Sequence, residues 1–256
     1  MSSVASLQQR MKQGTPLLTA WCGLPDPAIA GLLAYEDFDA VTVDLQHGAV
    51  DYAGAVRAIP LIAAAGKPAI VRVPVGEFTT ASRLLDAGAA AIIAPMINNV
   101  EDARRFAAFA KFPPGGERSW GPNAALTLTG LAGPDYFARA NDFCLTFAMI
   151  ETREALAAMD DIMAVPGIDA VFIGPSDLSI ALSGGGQPNP GSAAVEEALA
   201  HAHRRARAAG KFIGVYASNP ELAARFTAEK FDLIAAGSDY SLLRAGARAA
   251  LATARA

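Results

Sequence analysis

Glu151 and Asp177 close the apolar runs CLTFAMIE and IDAVFIGPSD, and they stand twenty-six positions apart. If the two runs are neighbouring parallel strands, that interval is about what one strand-helix unit consumes, so both acids emerge at one edge of the sheet. Two carboxylates so placed suit a hard divalent ion such as Mg²⁺, which takes one or two carboxylates and completes its shell with water and substrate oxygens. More polar residues follow other apolar runs: Asp44, Gln46 and His47 after FDAVTV, Ser176 beside Asp177, and Ser238 with Asp239 after FDLIAAG. Arg72 lies inside VRVP, where a charge is costly unless an anion partners it. His47 is one of three histidines, and Asp44 is a candidate to hold its ring in one tautomer. His201 and His203, two apart and followed by RRAR, read as a solvated helix surface.

What must position these residues is a repeating βα chain. Short Val-, Ile- and Phe-rich runs (PLLTAWC, FDAVTVDL, PAIVRVP, AAAIIAPMI, CLTFAMIE, IDAVFIG, KFIGVYA and FDLIAAG) alternate with Ala-rich stretches at helical period. Glycines at positions 66, 88 and 210 punctuate helix ends just before the next strand. Eight such units in 256 residues, with no linker or composition shift, predict one α/β domain over 1–256, a closed (β/α)₈ barrel. An open doubly wound sheet would carry a Gly-rich phosphate turn after its first strand, and WCGLPDPAIAG has no such pattern. Two irregular segments, 112–134 and 183–191, are expected over the barrel mouth, where barrel enzymes keep their chemistry.

Several chemistries are excluded. Imine catalysis needs a lysine in the pocket, yet Lys67, Lys211 and Lys230 precede strands, Lys12 precedes the first, and Lys111 closes a helix. GPSD lacks the flanking glycines of an acyl-transfer nucleophile elbow. A Lewis-acid metal is left as the best supplied electrophile. Net charge of −4 offers no field for nucleic acid, and no apolar run approaches the roughly 18 residues of a membrane span. The two cysteines form no close-spaced motif. A cytoplasmic protein without nucleic-acid or membrane partners is expected.

The stretches FDAVTVDLQHG, VRVP, LLDAGAAAIIAPMINNVEDAR, FPPGGERSWGP, IETREAL, GIDAVFIGPSDLS and GSDYSLL, in that order, resemble the HpcH/HpaI aldolase family, metal-dependent pyruvate aldolases of the (β/α)₈ barrel. The resemblance implies Mg²⁺ or Mn²⁺, with Co²⁺ as a third candidate, on Glu151 and Asp177. It implies a 2-oxo acid chelating that ion, Arg72 on the keto or enolate oxygen, and His47, supported by Asp44, managing the hydroxyl proton. The segment Gly174, Pro175 and Ser176 opens a helix, and its backbone amides are candidates for the substrate carboxylate. Arg118 matches an arginine of the family's loop, where it either contacts substrate or fixes the loop. The resemblance also implies a homo-hexamer, a trimer of dimers with exchanged C-terminal helices. Two positions depart from the family pattern: Met149 stands where Gln is common, and Gln46 where Glu is common.

The expected activity is class II aldol cleavage of a 4-hydroxy-2-oxo acid to pyruvate and an aldehyde. A CoA-ester lyase of the malyl or citramalyl type shares the acid pair, but no extended basic patch suggests a nucleotide tail. A silent barrel that binds a 2-oxo acid would not explain a base beside the acids.

Overall fold

The computed structural model describes residues 2–256. Eight strands, β1 (Leu17–Cys22), β2 (Ala40–Asp44), β3 (Ala69–Arg72), β4 (Ala91–Ala94), β5 (Leu145–Ile150), β6 (Ala170–Ile173), β7 (Phe212–Tyr216) and β8 (Leu233–Ser238), pair in parallel and in order, β8 closing on β1. Each apolar run read from the sequence is one of these strands. Thirteen helices surround them: α1 (Ser3–Lys12), α2 (Pro27–Ala34), α3 (Tyr52–Ala64), α4 (Phe78–Asp86), α5 (Val100–Ala110), α6 (Asn123–Thr129), α7 (Gly133–Phe143), α8 (Arg153–Ala157), α9 (Met159–Ala164), α10 (Pro175–Ser183), α11 (Ala193–Ala208), α12 (Pro220–Ala228) and α13 (Asp239–Ala254). Short polar side chains start several of them. Asp51, Asn99 and Asn219 each accept an amide of the first turn, which would otherwise lack a partner.

Strand alternation divides the core in two. Val41, Val43, Val71, Ile92, Val171 and Ile173 face the helices, and Leu17, Trp21, Ile70, Ile93, Phe147, Met149, Phe172 and Leu233 fill the barrel. Continuing the inner rows upward from Ile70 and Phe147 brings Arg72, Met149 and then Glu151 to the C-terminal mouth. At the other end α1 lies across the barrel floor, with Leu7 and Met11 joining the inner cluster.

The segment 112–134 does not lie over the mouth. Helix α5 comes after β4 and must carry the chain down to the N-terminal face before β5, so the residues beyond α5 begin at that face. There Lys111, almost fully buried, donates to the carbonyls of Asn141 (2.8 Å) and Cys144 (2.7 Å) and to Asp169 (2.6 Å). Helix α6 packs against α1 and α4, and α7 against α1. The segment 183–191, by contrast, precedes α11, which must descend before β7, so it sits at the mouth end. Lys67 donates to the Phe38 carbonyl and Lys211 to the Ile168 carbonyl, both just ahead of strands at the floor.

Lys111→Met should cost about 3 kcal/mol, because it strips a buried cation from two carbonyls and from an Asp169 that keeps some solvent. Urea unfolding would show a lower midpoint at unchanged slope; an unchanged midpoint would mean the network contributes nothing to stability.

Candidate active site

Asp44 and Arg72 are register neighbours at the ends of β2 and β3. The guanidinium donates through Nε to Oδ1 (2.8 Å) and through Nη2 to Oδ2 (2.6 Å), and both side chains are under a tenth exposed. Trp21 Nε1 adds a third bond to Asp44 (3.2 Å), and its ring lies 5.0 Å from the Arg72 guanidinium carbon. Burial alone would raise the Asp44 carboxyl, but the Arg72 hydrogen bonds and charge outweigh it and hold the group below its usual range. The anion that Arg72 required is therefore Asp44.

That pairing corrects the expectation for His47. Asp44 makes no hydrogen bond to the imidazole. Its Oδ1 accepts instead from the backbone amides of Gln46 (3.0 Å) and His47 (3.4 Å), so it supports the turn that carries the ring. The acceptor positions of Asp44 are taken up by Arg72, which stands directly opposite in the register, by Trp21 and by these two amides. His47 itself is exposed and lines the mouth. Gln46 Oε1 is buried without a donor among the described residues.

Glu151, at the end of β5, is buried, and its Oε1 accepts from the Met96 amide (2.8 Å). Burial pushes its carboxyl up to about 7; the Asp177 charge adds to the rise, while the Met96 bond and the Arg72 charge oppose it. Met96 has φ of 55°, unusual for a residue with a side chain, and that twist belongs to the turn aiming its N–H at the acid. Nothing in AAAIIAPMI marked Met96, since a backbone donor leaves no residue type behind. Gly174 packs on the far side: a Cβ there would lie 2.7 Å from Glu151 Oε2 and 2.7 Å from Met149 Cε. Met149 lines the same wall, where the resemblance pointed to a polar Gln.

Asp177, in the first turn of α10, is exposed and faces the mouth. Neither acid has an ion-pair partner among the described residues, although Asp177 is near enough for its charge to raise Glu151. Two unneutralised, mutually repelling carboxylates fit a hard divalent cation. No group of three or more His, Cys, Asp or Glu gathers among the described residues, so such an ion would complete its shell from water and substrate. No side chain caps α10, which leaves the first-turn amides beyond Gly174 and Pro175, beginning at Ser176, open to an anion.

A cavity of about 300 Å³ is lined by Trp21, Asp44, His47, Arg72, Met149, Ser176, Asp177 and Tyr216, and Glu151 lies behind Gly174 in its wall. Tyr216 meets Trp21 edge to face at 5.4 Å. Arg118 is not brought there. It is buried on the N-terminal side against Asp86 (2.7 Å), Tyr136 and the Phe112 ring, so within one chain it fixes its loop and touches no substrate.

Known proteins are similar to this chain over nearly its whole length. Residues 18–245 match the family described as HpcH/HpaI aldolase/citrate lyase. A hydroxypyruvate/pyruvate aldolase of Rhizorhabdus wittichii is 40% identical over 244 residues, covering 95% of this chain and 96% of that protein. A 4-hydroxy-2-oxo-heptane-1,7-dioate aldolase of Salmonella dublin is 34% identical over 244 residues, 95% of this chain and 92% of its own. Among solved structures, a family protein from Burkholderia cenocepacia superposes with a TM-score of 0.89 at 29% identity, covering 98% of this chain and 100% of that one.

Asp44→Asn should cost about 3 kcal/mol at pH 7, because it weakens the pairing of a buried guanidinium. A carboxyl held below its usual range adds stability above the unfolded value and loses it as pH falls through the folded value. The gap between wild type and variant in urea unfolding should therefore narrow below about pH 4; a gap that is constant with pH would contradict the ion pair.

Proposed function

This chain belongs to the HpcH/HpaI aldolase/citrate lyase family, and we propose that it is a class II aldolase cleaving 4-hydroxy-2-oxo acids reversibly to an aldehyde and pyruvate. The observation that carries this is the couple Glu151 and Asp177, which have no ion-pair partner among the described residues and stand near enough to each other and to Arg72 for those charges to act on Glu151. The two acids would hold Mg²⁺, Mn²⁺ or Co²⁺, which supplies Lewis acidity at the keto oxygen when bound. Relatives named for pyruvate and hydroxypyruvate support a small 2-oxo acid as the nucleophilic half.

In this reading the substrate carboxylate lies against the amides that open α10 at Ser176. His47 takes the proton of the C4 hydroxyl, the C3–C4 bond breaks, and its electron pair moves onto the C2 oxygen as an enolate. Arg72 faces that charge. Asp44 engages its Nε and Nη2 and leaves Nη1 as the donor that the enolate meets, in an orientation set before substrate arrives. Trp21 and Met149 wall off the reacting carbons from water. Return of that proton from His47 to C3 then yields pyruvate and restores the base. Arg72, already paired, is the only Arg or Lys lining the cavity, which supports an uncharged aldehyde half beside the hydroxyls of Tyr216 and Ser238.

The assembly we propose is a homo-hexamer, a trimer of dimers. Helix α13 buries only Asp239 and leaves Tyr240, Leu243 and Leu251 half exposed or more, an apolar face suited to a second copy. We place the protein in the cytoplasm; no described helix is long and apolar enough to cross a membrane.

Pyruvate release from 4-hydroxy-2-oxo acids, followed by a coupled dehydrogenase, should require added Mg²⁺ or Mn²⁺ and stop with EDTA. Cleavage that survives chelation would end the metal-dependent reading. Glu151→Gln and Asp177→Asn should each lower turnover by about a thousandfold, and Arg72→Met should lower kcat by about a hundredfold with a smaller change in KM. An Arg72 variant altered only in KM would remove that residue from the enolate.

A further inference from the structure

Asp239 is a buried acid of the cavity wall with no ion-pair partner among the described residues, and the proposed aldol chemistry does not use it. Its oxygens are committed to backbone. Oδ2 accepts from the amides of Gly23 (2.9 Å) and Leu24 (2.8 Å), and Oδ1 from the amide of Tyr240 (2.8 Å). The first two bonds join the end of β8 to the turn after β1, across the seam that closes the barrel. That seam is irregular: the pairing shifts register between Thr19 and Trp21, and Gly237 has φ of +119°. A bulge beside a functional site re-aims the side chains beyond it, and here it sets Ser238 opposite Trp21 and turns Asp239 onto Gly23.

Gly23 is the next link. Its carbonyl accepts from the Ala49 amide (2.8 Å). A Cβ on Gly23 would lie 3.3 Å from Gly48 Cα, and a Cβ on Gly48 would lie 2.8 Å from Gly23 Cα and 2.2 Å from the Asp44 carbonyl oxygen. The two turns thus touch backbone to backbone, with no side chain between them. His47 immediately precedes this contact. Among the described residues its imidazole has no hydrogen bond, so its place depends on the backbone beneath it. Asp44 fixes one side of that turn and Gly23 the other.

We propose that Asp239 is a positioning residue for the aldol proton transfer: through the Gly23 turn it holds His47 at its place over the cavity and does not itself touch substrate. This rests on the aldolase reading, in which His47 carries the proton. A carboxylate suits the task better than an amide, because three backbone N–H groups converge on it and an Asn nitrogen would face one of them.

Asp239→Ala should lower kcat about ten- to a hundredfold, the loss expected from a displaced catalytic group, while KM changes less than about threefold. Asp239→Asn, which keeps one acceptor oxygen, should recover part of the loss. In a His47→Ala background Asp239→Ala should cost less than about twofold more, since the two residues act on one step. Equal losses in both backgrounds, or a loss carried by KM, would overturn the proposal.

A second readout is independent of turnover. The chain has three histidines, and in a proton–carbon correlation spectrum the His47 ring signal, assigned with His47→Ala, should move in Asp239→Ala while those of His201 and His203 stay. A stationary His47 signal would refute the coupling. If Asp239→Ala does not fold, Gly23→Ala, whose Cβ would meet Gly48 Cα and the Tyr240 ring at 3.3 Å each, presses on the same contact with the carboxylate in place, and it must shift the same signal or the proposal fails. Should the wild type release no pyruvate, the aldolase reading falls by itself, and the histidine spectrum still decides whether Asp239 holds His47.

Discussion

The mouth of this barrel is organised around a cation that the interior could not otherwise hold. Arg72 sits at the top of an apolar column, and only the forked bond to Asp44, with the Trp21 ring beside it, makes that location tolerable. Because Asp44 also takes the amides of Gln46 and His47, the same carboxylate sets the arginine and the turn that carries the base. Removing Asp44 would disturb charge and geometry together. A buried pair of this kind adds little net stability, and its value lies in direction.

The two acids across the cavity illustrate the opposite arrangement. Glu151 is desolvated and repelled by Asp177, and its bond from the Met96 amide comes with a left-handed backbone. Such a site is unfavourable when empty of positive charge and becomes favourable when a cation enters. This barrel therefore keeps a compensated charge beside uncompensated ones at its mouth, and a substrate that is itself anionic needs both.

Much of this could be read in the chain. Strands buried on both faces are continuous Val-, Ile- and Phe-rich runs, and parallel order sends every strand end to one face, so Glu151, Asp177, Arg72 and His47 were legible as one group. What escaped depended on pairing and direction. Whether Asp44 serves Arg72 or His47 is decided by the register between β2 and β3, which residue spacing does not reveal. Arg118 had two readings, substrate contact or loop fixing, and within one chain it fixes the loop, because a segment after α5 starts at the floor whatever its composition. Met96 and Gly23 act through backbone groups, which every residue possesses and none advertises.

Helix α1 covers the floor with Leu7 and Met11, and side chains fill the barrel between that floor and the cavity, so the site is reached from the mouth. Entry and exit share one doorway. In the proposed reading the half of the substrate held at the buried Glu151 would lie deeper, with the other half between it and solvent. Traffic would then be last in, first out: the fragment nearer the rim has to clear the passage before the inner one can leave, an order imposed by the filled barrel rather than by relative affinity.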